Sequence, residues 1–178
     1  MIRLFAAIAI PGDIGEGLAR TQQGVAGARW SPLENLHVTL RFVGAVSENK
    51  ADDLDAELGA IGGAAFDLML EGVGEFSDGQ GPRALWAGVE GGASLRRLAA
   101  RCETAARRAG LARDARAFRP HVTLAYLSGA EPARVAAWVQ SHNLLKSPAF
   151  RVTAFGLYSS WRTDAGQVYR LERSYSLA

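Results

Sequence analysis

Cysteine, histidine and long apolar runs are all scarce in this 178-residue sequence. The one cysteine, Cys102, excludes an internal disulfide and a cysteine-based zinc site, which favours a reducing compartment, and we expect a cytoplasmic protein. The longest apolar opening, residues 4–10, is far shorter than the roughly 20 residues of a membrane-spanning helix. It is also short for a signal peptide. We therefore expect a buried strand there and no association with a membrane.

Composition and charge are those of an ordinary globular protein, with 48% hydrophobic and 21% charged residues. At roughly 150 residues per domain, the length predicts one compact domain over residues 1–178, and we expect a monomer. The formal net charge of +2 is too small to predict capture of duplex DNA. A small anionic substrate fits this charge better.

The arginines are unevenly distributed, and eight of them lie in one stretch: Arg96, Arg97, Arg101, Arg107, Arg108, Arg113, Arg116 and Arg119. Apolar residues in the same stretch recur at helical spacing: Leu95, Leu98, Ala99, Cys102, Ala106 and Ala109. The spacing predicts a helix whose arginines face solvent. That face is either plain solvated surface or a patch that steers nucleic acid.

Hydrophobic periodicity and turn residues predict alternating strands and helices without a linker or a low-complexity segment. The predicted strands span residues 2–10, 36–43, 66–76, 83–90, 120–127, 150–158 and 167–177, and the predicted helices span residues 13–26, 47–61, 94–109 and 132–141. This order indicates an α+β fold.

An internal repeat is the most informative feature of the sequence. His37-Val38-Thr39-Leu40 recurs 84 residues later, at residues 121–124, as His-Val-Thr-Leu. The same offset relates later landmarks: Phe66 with Phe150, Gly72 with Gly156, and Arg83 with Gln167. The repeat predicts a bilobal, pseudo-two-fold α+β fold, with two antiparallel-rich sheets flanked by helices and a central cleft.

The repeated tetrapeptide predicts a catalytic site that uses no metal and no cofactor. Side chains alternate along a strand, so His37 and Thr39 share one face about 6.5–7 Å apart, as do His121 and Thr123. If the two pairs converge on the cleft, one imidazole can act as base and the other as acid in displacement at phosphorus. The hydroxyls can donate to phosphate oxygens. Two histidines without clustered Asp, Glu or Cys make a metal site improbable.

Four further residues are candidates for substrate binding. Arg41 and Arg119 share the parity of the motifs and can bind phosphate from the same face, or else cap their strands and point into water. Phe42 and Tyr126, beside the motifs, can stack a base. His142 lies near a predicted helix end, and we expect it to be structural.

The motifs in their context resemble the 2H phosphoesterase superfamily, and within it the bacterial and archaeal RNA 2′,3′-cyclic phosphodiesterases, formerly called 2′-5′ RNA ligases. The resemblance covers nearly the whole chain. Besides both motifs it rests on residues 3–5 (RLF), 34–36 (ENL), 82–86 (PRALW), 118–120 (FRP) and 169–171 (YRL).

The resemblance implies hydrolysis of a 2′,3′-cyclic phosphate to a 2′-phosphomonoester at a metal-free site between two lobes. It implies that His37 protonates the leaving O3′, that His121 activates water, and that Thr39 and Thr123 bind the phosphate. Many relatives carry an arginine where this chain has Tyr126, so Arg119 or Arg41 would have to replace that contact.

Three other functions remain open. One is a module that binds RNA ends without catalysis. The others keep the phosphate chemistry, as 2′-5′ RNA ligation or as hydrolysis of a small cyclic nucleotide or cyclic-phosphate metabolite. All would share the residues that handle the phosphate.

Overall fold

The computed structural model describes residues 1–178, which form nine strands, four α-helices and a 3₁₀ turn at Leu33–Asn35. The strands are Ile2–Ala9 (β1), Ala28–Trp30 (β2), His37–Val46 (β3), Phe66–Asp78 (β4), Gly81–Glu90 (β5), His121–Leu127 (β6), Phe150–Val152 (β7), Ala154–Thr163 (β8) and Gly166–Ser176 (β9). The helices are Gly12–Ala19 (α1), Glu48–Gly59 (α2), Gly92–Arg108 (α3) and Pro132–His142 (α4). The predicted α+β class is confirmed.

All the strands belong to one curled antiparallel sheet, in the order β7-β4-β5-β6-β3-β1-β8-β9, with β2 added along β6. The two halves of the sheet meet where β3 pairs with β6, and Val38 opposite Val122 is the registered pair at this joint. The prediction of two separate sheets is wrong, because the structure has one sheet. Four strands lie on each side of the joint, and backbone pairing across it makes the sheet continuous.

The closing strands of the repeat, which begin near its last landmarks Arg83 and Gln167, do not occupy equivalent positions in the sheet. Arg83 belongs to β5, which lies directly beside the motif strand β6, whereas Gln167 belongs to β9, at the sheet edge. The place beside β3 is taken by β1, from the start of the chain. The expectation of equivalent closing strands is therefore wrong, because the N-terminal strand fills the position that β5 fills in the other half.

The hydrophobic core is one continuous cluster of 37 buried residues. Each residue of the predicted apolar stripe of α3 is buried, and Cys102 is inaccessible to solvent. The arginines of α3 are exposed, as predicted. Ser47 begins α2 as a capping residue, its hydroxyl accepting a hydrogen bond from the Lys50 amide at 3.4 Å. None of the four α-helices combines the length and the apolar composition that a membrane-spanning helix needs.

The predicted helix 13–26 is too long, and a short strand that the sequence reading missed follows it. The helix ends at Ala19, and the chain then turns through Gly24 and Gly27, whose φ angles of 84° and 83° lie in the left-handed region. Strand β2 begins directly after Gly27. The predicted strand 150–158 is likewise divided, into β7 and a longer β8.

Strand β2 is fixed tightly against β6. The Ser128 amide donates to the Gly27 carbonyl at 3.0 Å, and a Cβ on Gly27 would lie 2.5 Å from the Ser128 carbonyl oxygen. At the other end, the Gln22 side-chain amide donates to the carbonyls of Ser31 at 2.8 Å and Leu124 at 3.2 Å. These bonds hold both ends of β2 in register with β6.

We predict that Gly27→Ala destabilises the protein more than the matched change Gly24→Ala. Both residues have a positive φ, so each substitution costs about 1 kcal/mol of backbone strain. Gly24 has open space around a Cβ, whereas Gly27 has a carbonyl oxygen in contact. We expect a total cost of about 3 kcal/mol for Gly27→Ala in urea unfolding. Equal costs for the two variants would contradict the close approach.

Candidate active site

The two His-Val-Thr-Leu motifs meet at the joint of the sheet. Val38 and Val122 pair across it in antiparallel register, and both are fully buried on the helix-facing side. This register puts His37 level with Thr123, and Thr39 level with His121, on the opposite face. The structure thus brings together all four residues that the repeat singled out, on one face of neighbouring strands.

A backbone carbonyl two residues upstream holds each imidazole. Nδ1 of His37 donates to the Asn35 carbonyl, and Nδ1 of His121 donates to the Arg119 carbonyl, both at 2.6 Å. A carbonyl only accepts hydrogen bonds, so Nδ1 carries the proton in each neutral ring and Nε2 is left as the basic atom. His37 Nε2 lies 3.1 Å from the Thr39 hydroxyl.

Burial lowers the pKa of both histidines below the ordinary value. For His37 the loss of solvation is the largest cause, the Asn35 carbonyl opposes it, and positive charge on His121 lowers the pKa further. For His121 desolvation again dominates, and the Arg119 carbonyl opposes it.

Aromatic side chains enclose the imidazoles. The ring of Tyr169 meets His37 edge-on, with ring centroids 5.2 Å apart, and Phe5 packs on His37 at 4.8 Å. Phe76 meets His121 edge-on at 4.9 Å. These contacts exclude water from one side of each ring, which is the physical source of the lowered pKa values.

A β-bulge at the last residue of each motif reverses the side-chain alternation. Thr39 pairs with Ala7 but Arg41 pairs with Ala6, so Leu40 is an extra residue in β3. On β6, Leu124 is extra in the same way. The prediction that Arg41 shares the face of His37 and Thr39 is therefore wrong, because the bulge turns its side chain to the buried face.

The Arg41 guanidinium is fully engaged on that buried face. Its Nε donates to the Glu103 carboxylate of α3, and its two other nitrogens donate to the Phe42 carbonyl and, at 2.5 Å, to the Ala112 carbonyl. Asp114 lies 4.0 Å away. Arg41 thus ties β3 to α3 and to the loop that leads into β6.

The three other candidates for substrate binding are exposed. Arg119 precedes β6, so strand alternation does not fix its direction, and its guanidinium forms no ion pair in the protein. Phe42 is 37% exposed, with the guanidinium groups of Arg3 and Arg116 over its ring. Tyr126 is 44% exposed and lies at the site itself.

A cavity of about 90 Å³ opens beside the two motifs. Its walls include Arg29, Asn35, His37, Thr123, Tyr126, Gln167 and Tyr169. This volume is far below the roughly 300–1,000 Å³ of pockets that enclose whole small molecules, so the cavity accommodates only part of a nucleotide. A larger cavity of about 270 Å³ along β7 and β8 contains none of the four motif residues.

Sequence reasoning missed Arg29 and Gln167 as residues of the site, because residues 28–30 fall between the predicted elements 13–26 and 36–43 and Gln167 served only as a landmark of the repeat. Asn35 and Tyr169 lie in the segments ENL and YRL, on which the family resemblance rests, but the resemblance assigned neither residue a role. Asn35 links the first motif to the β8–β9 hairpin. Its backbone carbonyl accepts from His37, and its side-chain amide donates to the Gln167 carbonyl at 2.8 Å. No group of three or more His, Cys, Asp or Glu side chains is arranged to bind a metal ion.

Comparisons with known proteins agree with the motif-based resemblance. A sequence model of the 2′-5′ RNA ligase superfamily matches residues 15–164. An RNA 2′,3′-cyclic phosphodiesterase of Archaeoglobus fulgidus is 31% identical over 172 residues, covering 95% of this chain and 97% of that protein. One from Aeropyrum pernix is 36% identical over 140 residues, covering 77% and 79%. The crystal structure of E. coli LigT complexed with 3′-AMP has a TM-score of 0.83 at 28% identity, covering 99% of this chain and 98% of that one.

We predict that Arg41→Ala lowers stability, because it leaves the Glu103 carboxylate without its cation. The Arg41 side chain is 8% exposed and that of Glu103 is 27% exposed, so we expect a loss of about 2–3 kcal/mol, below the range for fully buried pairs. Urea unfolding measures it. The matched change Arg119→Ala removes an arginine without an ion pair and should cost less than about 0.5 kcal/mol. Equal losses would show that the Arg41 ion pair contributes nothing.

Proposed function

Because this chain belongs to the 2′-5′ RNA ligase superfamily, among the 2H phosphoesterases, we propose that it hydrolyses RNA 2′,3′-cyclic phosphate ends to 2′-phosphomonoesters. The proposal includes a mechanism in which a pair of histidines provides acid and base and no metal ion takes part. Its main support is the juxtaposition of His37, Thr39, His121 and Thr123 on one face at the joint of the sheet.

In the proposed reaction, Nε2 of His121 accepts a proton from water as the water oxygen attacks phosphorus. The bond from phosphorus to O3′ breaks, and protonated His37 gives its Nε2 proton to O3′. The product is a 2′-phosphomonoester with a free 3′-hydroxyl, and one proton exchanged with solvent restores the starting pair. Which histidine takes which role follows from the family resemblance, since the repeated motif treats both alike.

The hydrogen-bond geometry supports this use of the rings. Both Nδ1 atoms are committed to backbone carbonyls, so only the Nε2 atoms can exchange protons with a substrate. A lowered pKa keeps His121 in the neutral form that a base requires. It also makes protonated His37 a stronger acid, and the negative charge of a bound phosphate would favour that protonated form.

Thr39 and Thr123 are proposed to donate hydrogen bonds to the non-bridging phosphate oxygens. Each lies level with the histidine of the other strand, so two hydroxyls flank the space between the rings. A hydrogen bond to a charged oxygen is worth roughly 1.5–3 kcal/mol, which becomes useful where negative charge develops during the reaction.

Arg119, Phe42 and Tyr126 complete the proposed binding surface. Arg119 is a predicted phosphate contact, and the two aromatic rings are predicted to stack bases. Arg41 has no part in binding, since Glu103 and two carbonyls already occupy its guanidinium.

We also propose that residues 1–178 form one bilobal domain related by a pseudo-two-fold axis, acting as a monomer in the cytoplasm on RNA ends. The duplicated motif, the matching bulges after Thr39 and Thr123, and the four strands on each side of the joint support the symmetry. The continuous core supports a single domain.

We predict metal-independent turnover that depends on both histidines. A 5′-labelled oligoribonucleotide ending in a 2′,3′-cyclic phosphate, incubated in EDTA, should give a product that comigrates with the 2′-phosphate standard. His37→Ala or His121→Ala should lower the rate by about 10²- to 10⁴-fold, because each removes a positioned proton donor or acceptor. The matched change His142→Ala should leave the rate unchanged, since that ring lies on α4, bonded to the Trp138 carbonyl and packed against its indole at 4.6 Å.

Other outcomes identify the alternatives. End binding without turnover, unaffected by loss of both histidines, would indicate a binding module. Joining of ends through 2′-5′ bonds would indicate a ligase, and turnover confined to cyclic mononucleotides or other cyclic phosphates would indicate a metabolite phosphodiesterase. Activity that disappears in EDTA and returns with a divalent cation would refute the metal-free mechanism.

We predict that kcat/KM reaches its maximum below about pH 6.5. The reaction needs neutral His121 and protonated His37, and both pKa values lie below the ordinary value. As the pH rises through the pKa of His37, the acid is lost and kcat/KM falls, whereas below the pKa of His121 the base is lost. A pH profile of kcat/KM on the cyclic-phosphate oligoribonucleotide tests this, and a maximum above pH 7.5 would contradict it.

A further inference from the structure

Arg29 and Tyr126 form a stacked pair beside the motif residues. They are registered partners on β2 and β6, so both side chains lie on the same face of the sheet. The Arg29 guanidinium carbon lies 5.4 Å from the centre of the Tyr126 ring. Both residues line the cavity that also contains His37 and Thr123.

The Arg29 guanidinium is free to bind a ligand. It forms no ion pair and no hydrogen bond within the protein, and the side chain is exposed. The stack on Tyr126 does not neutralise its charge and leaves the N–H groups at the edge of the guanidinium plane available. Arg41, by contrast, is paired with Glu103 on the opposite face.

The four motif residues carry no permanent positive charge. The two threonines are neutral, and burial lowers the pKa of both imidazoles. Attack on a phosphodiester adds negative charge to the oxygens on phosphorus, and a fixed cation at the site would stabilise that charge. Arg29 is the only arginine or lysine on the wall of the cavity.

We propose that Arg29 binds the terminal phosphate of the substrate. Its side chain reaches the site from β2 because it shares a face of the sheet with its registered partner Tyr126 on β6, and both line the cavity beside the motifs. Tyr126 then acts as the platform that orients the guanidinium. This inference rests on the proposed function and adds Arg29 to the phosphate contact predicted there for Arg119.

The attachment of β2 supports this role. Arg29 lies between Gly27, which is bonded to Ser128, and Ser31, whose amide donates to the Leu124 carbonyl at 2.8 Å. Trp30 packs against Trp138 of α4, with ring centroids 6.0 Å apart. The backbone of Arg29 is therefore held in a constant position relative to Thr123.

The test exchanges the guanidinium between the two positions. Arg29→Ala should lower kcat/KM on the cyclic-phosphate oligoribonucleotide by about 10- to 100-fold, and Arg29→Lys should lose part of that because a lysine lacks the fork geometry. The double variant Arg29→Ala, Tyr126→Arg should recover most of the loss. Arg134→Ala, which removes an exposed arginine on α4, is the matched control and should have no effect.

A binding measurement without turnover separates this inference from the proposed function. An oligoribonucleotide ending in a 2′-phosphate is titrated in EDTA by fluorescence anisotropy at several salt concentrations. Arg29→Ala should weaken binding about 10-fold or more and reduce the slope of log K against log salt by about 0.7, the value for one phosphate contact on a single strand.

Wild-type turnover with an unaffected Arg29→Ala variant would overturn the inference and leave the proposed function standing. If the protein shows no turnover but binds the phosphate end, and Arg29→Ala weakens that binding, the inference would stand and the proposed function would be refuted. An activity loss that Tyr126→Arg does not rescue, with an unchanged salt slope, would show that Arg29 only supports the fold. Failure of the wild-type protein to bind the 2′-phosphate end would also overturn the inference about Arg29.

Discussion

The antiparallel pairing of Val38 with Val122 is the constraint on which the candidate site depends. It joins the two halves of the sheet and fixes how the two motifs lie against each other. Because both valines are fully buried under the helices, the residues on either side of them must face away from the core. A shift of one residue in this register would send one His-x-Thr pair into the core. Burial of the two valines therefore fixes the register and with it the arrangement of the motif residues.

Backbone carbonyls complete the arrangement by setting the state of each imidazole. Asn35 and Arg119 accept from Nδ1, so the chemistry is confined to Nε2. Both carbonyls belong to the segment that leads into a motif strand, and Arg41 fastens the segment before β6 through the Ala112 carbonyl. An arginine expected to bind phosphate thus anchors the loop that precedes the second motif strand instead.

The sequence was sufficient for the α+β class, for most elements and for the meeting of the four motif residues, because duplication and strand alternation are regular. It was insufficient where that regularity breaks. The extra residues Leu40 and Leu124 reverse the parity that placed Arg41 on the active face. Strand β2 is three residues long and depends on long-range bonds to β6, so local propensity could not reveal it or Arg29.

The bulges also explain how the motif strands can serve both the site and the core. Before the bulge, His37, Thr39, His121 and Thr123 lie on the face of the site, while Val38 and Val122 fill the interior. At the bulge two successive residues are buried on each strand, Leu40 with Arg41 and Leu124 with Ala125, and the next residue turns outward again. An aromatic ring, Phe42 or Tyr126, therefore emerges at the rim of each motif. Because registered partners share a face, the Arg29 side chain of β2 lies beside Tyr126 at the rim of β6. The positive charge beside the motifs therefore comes from β2 and not from a motif strand.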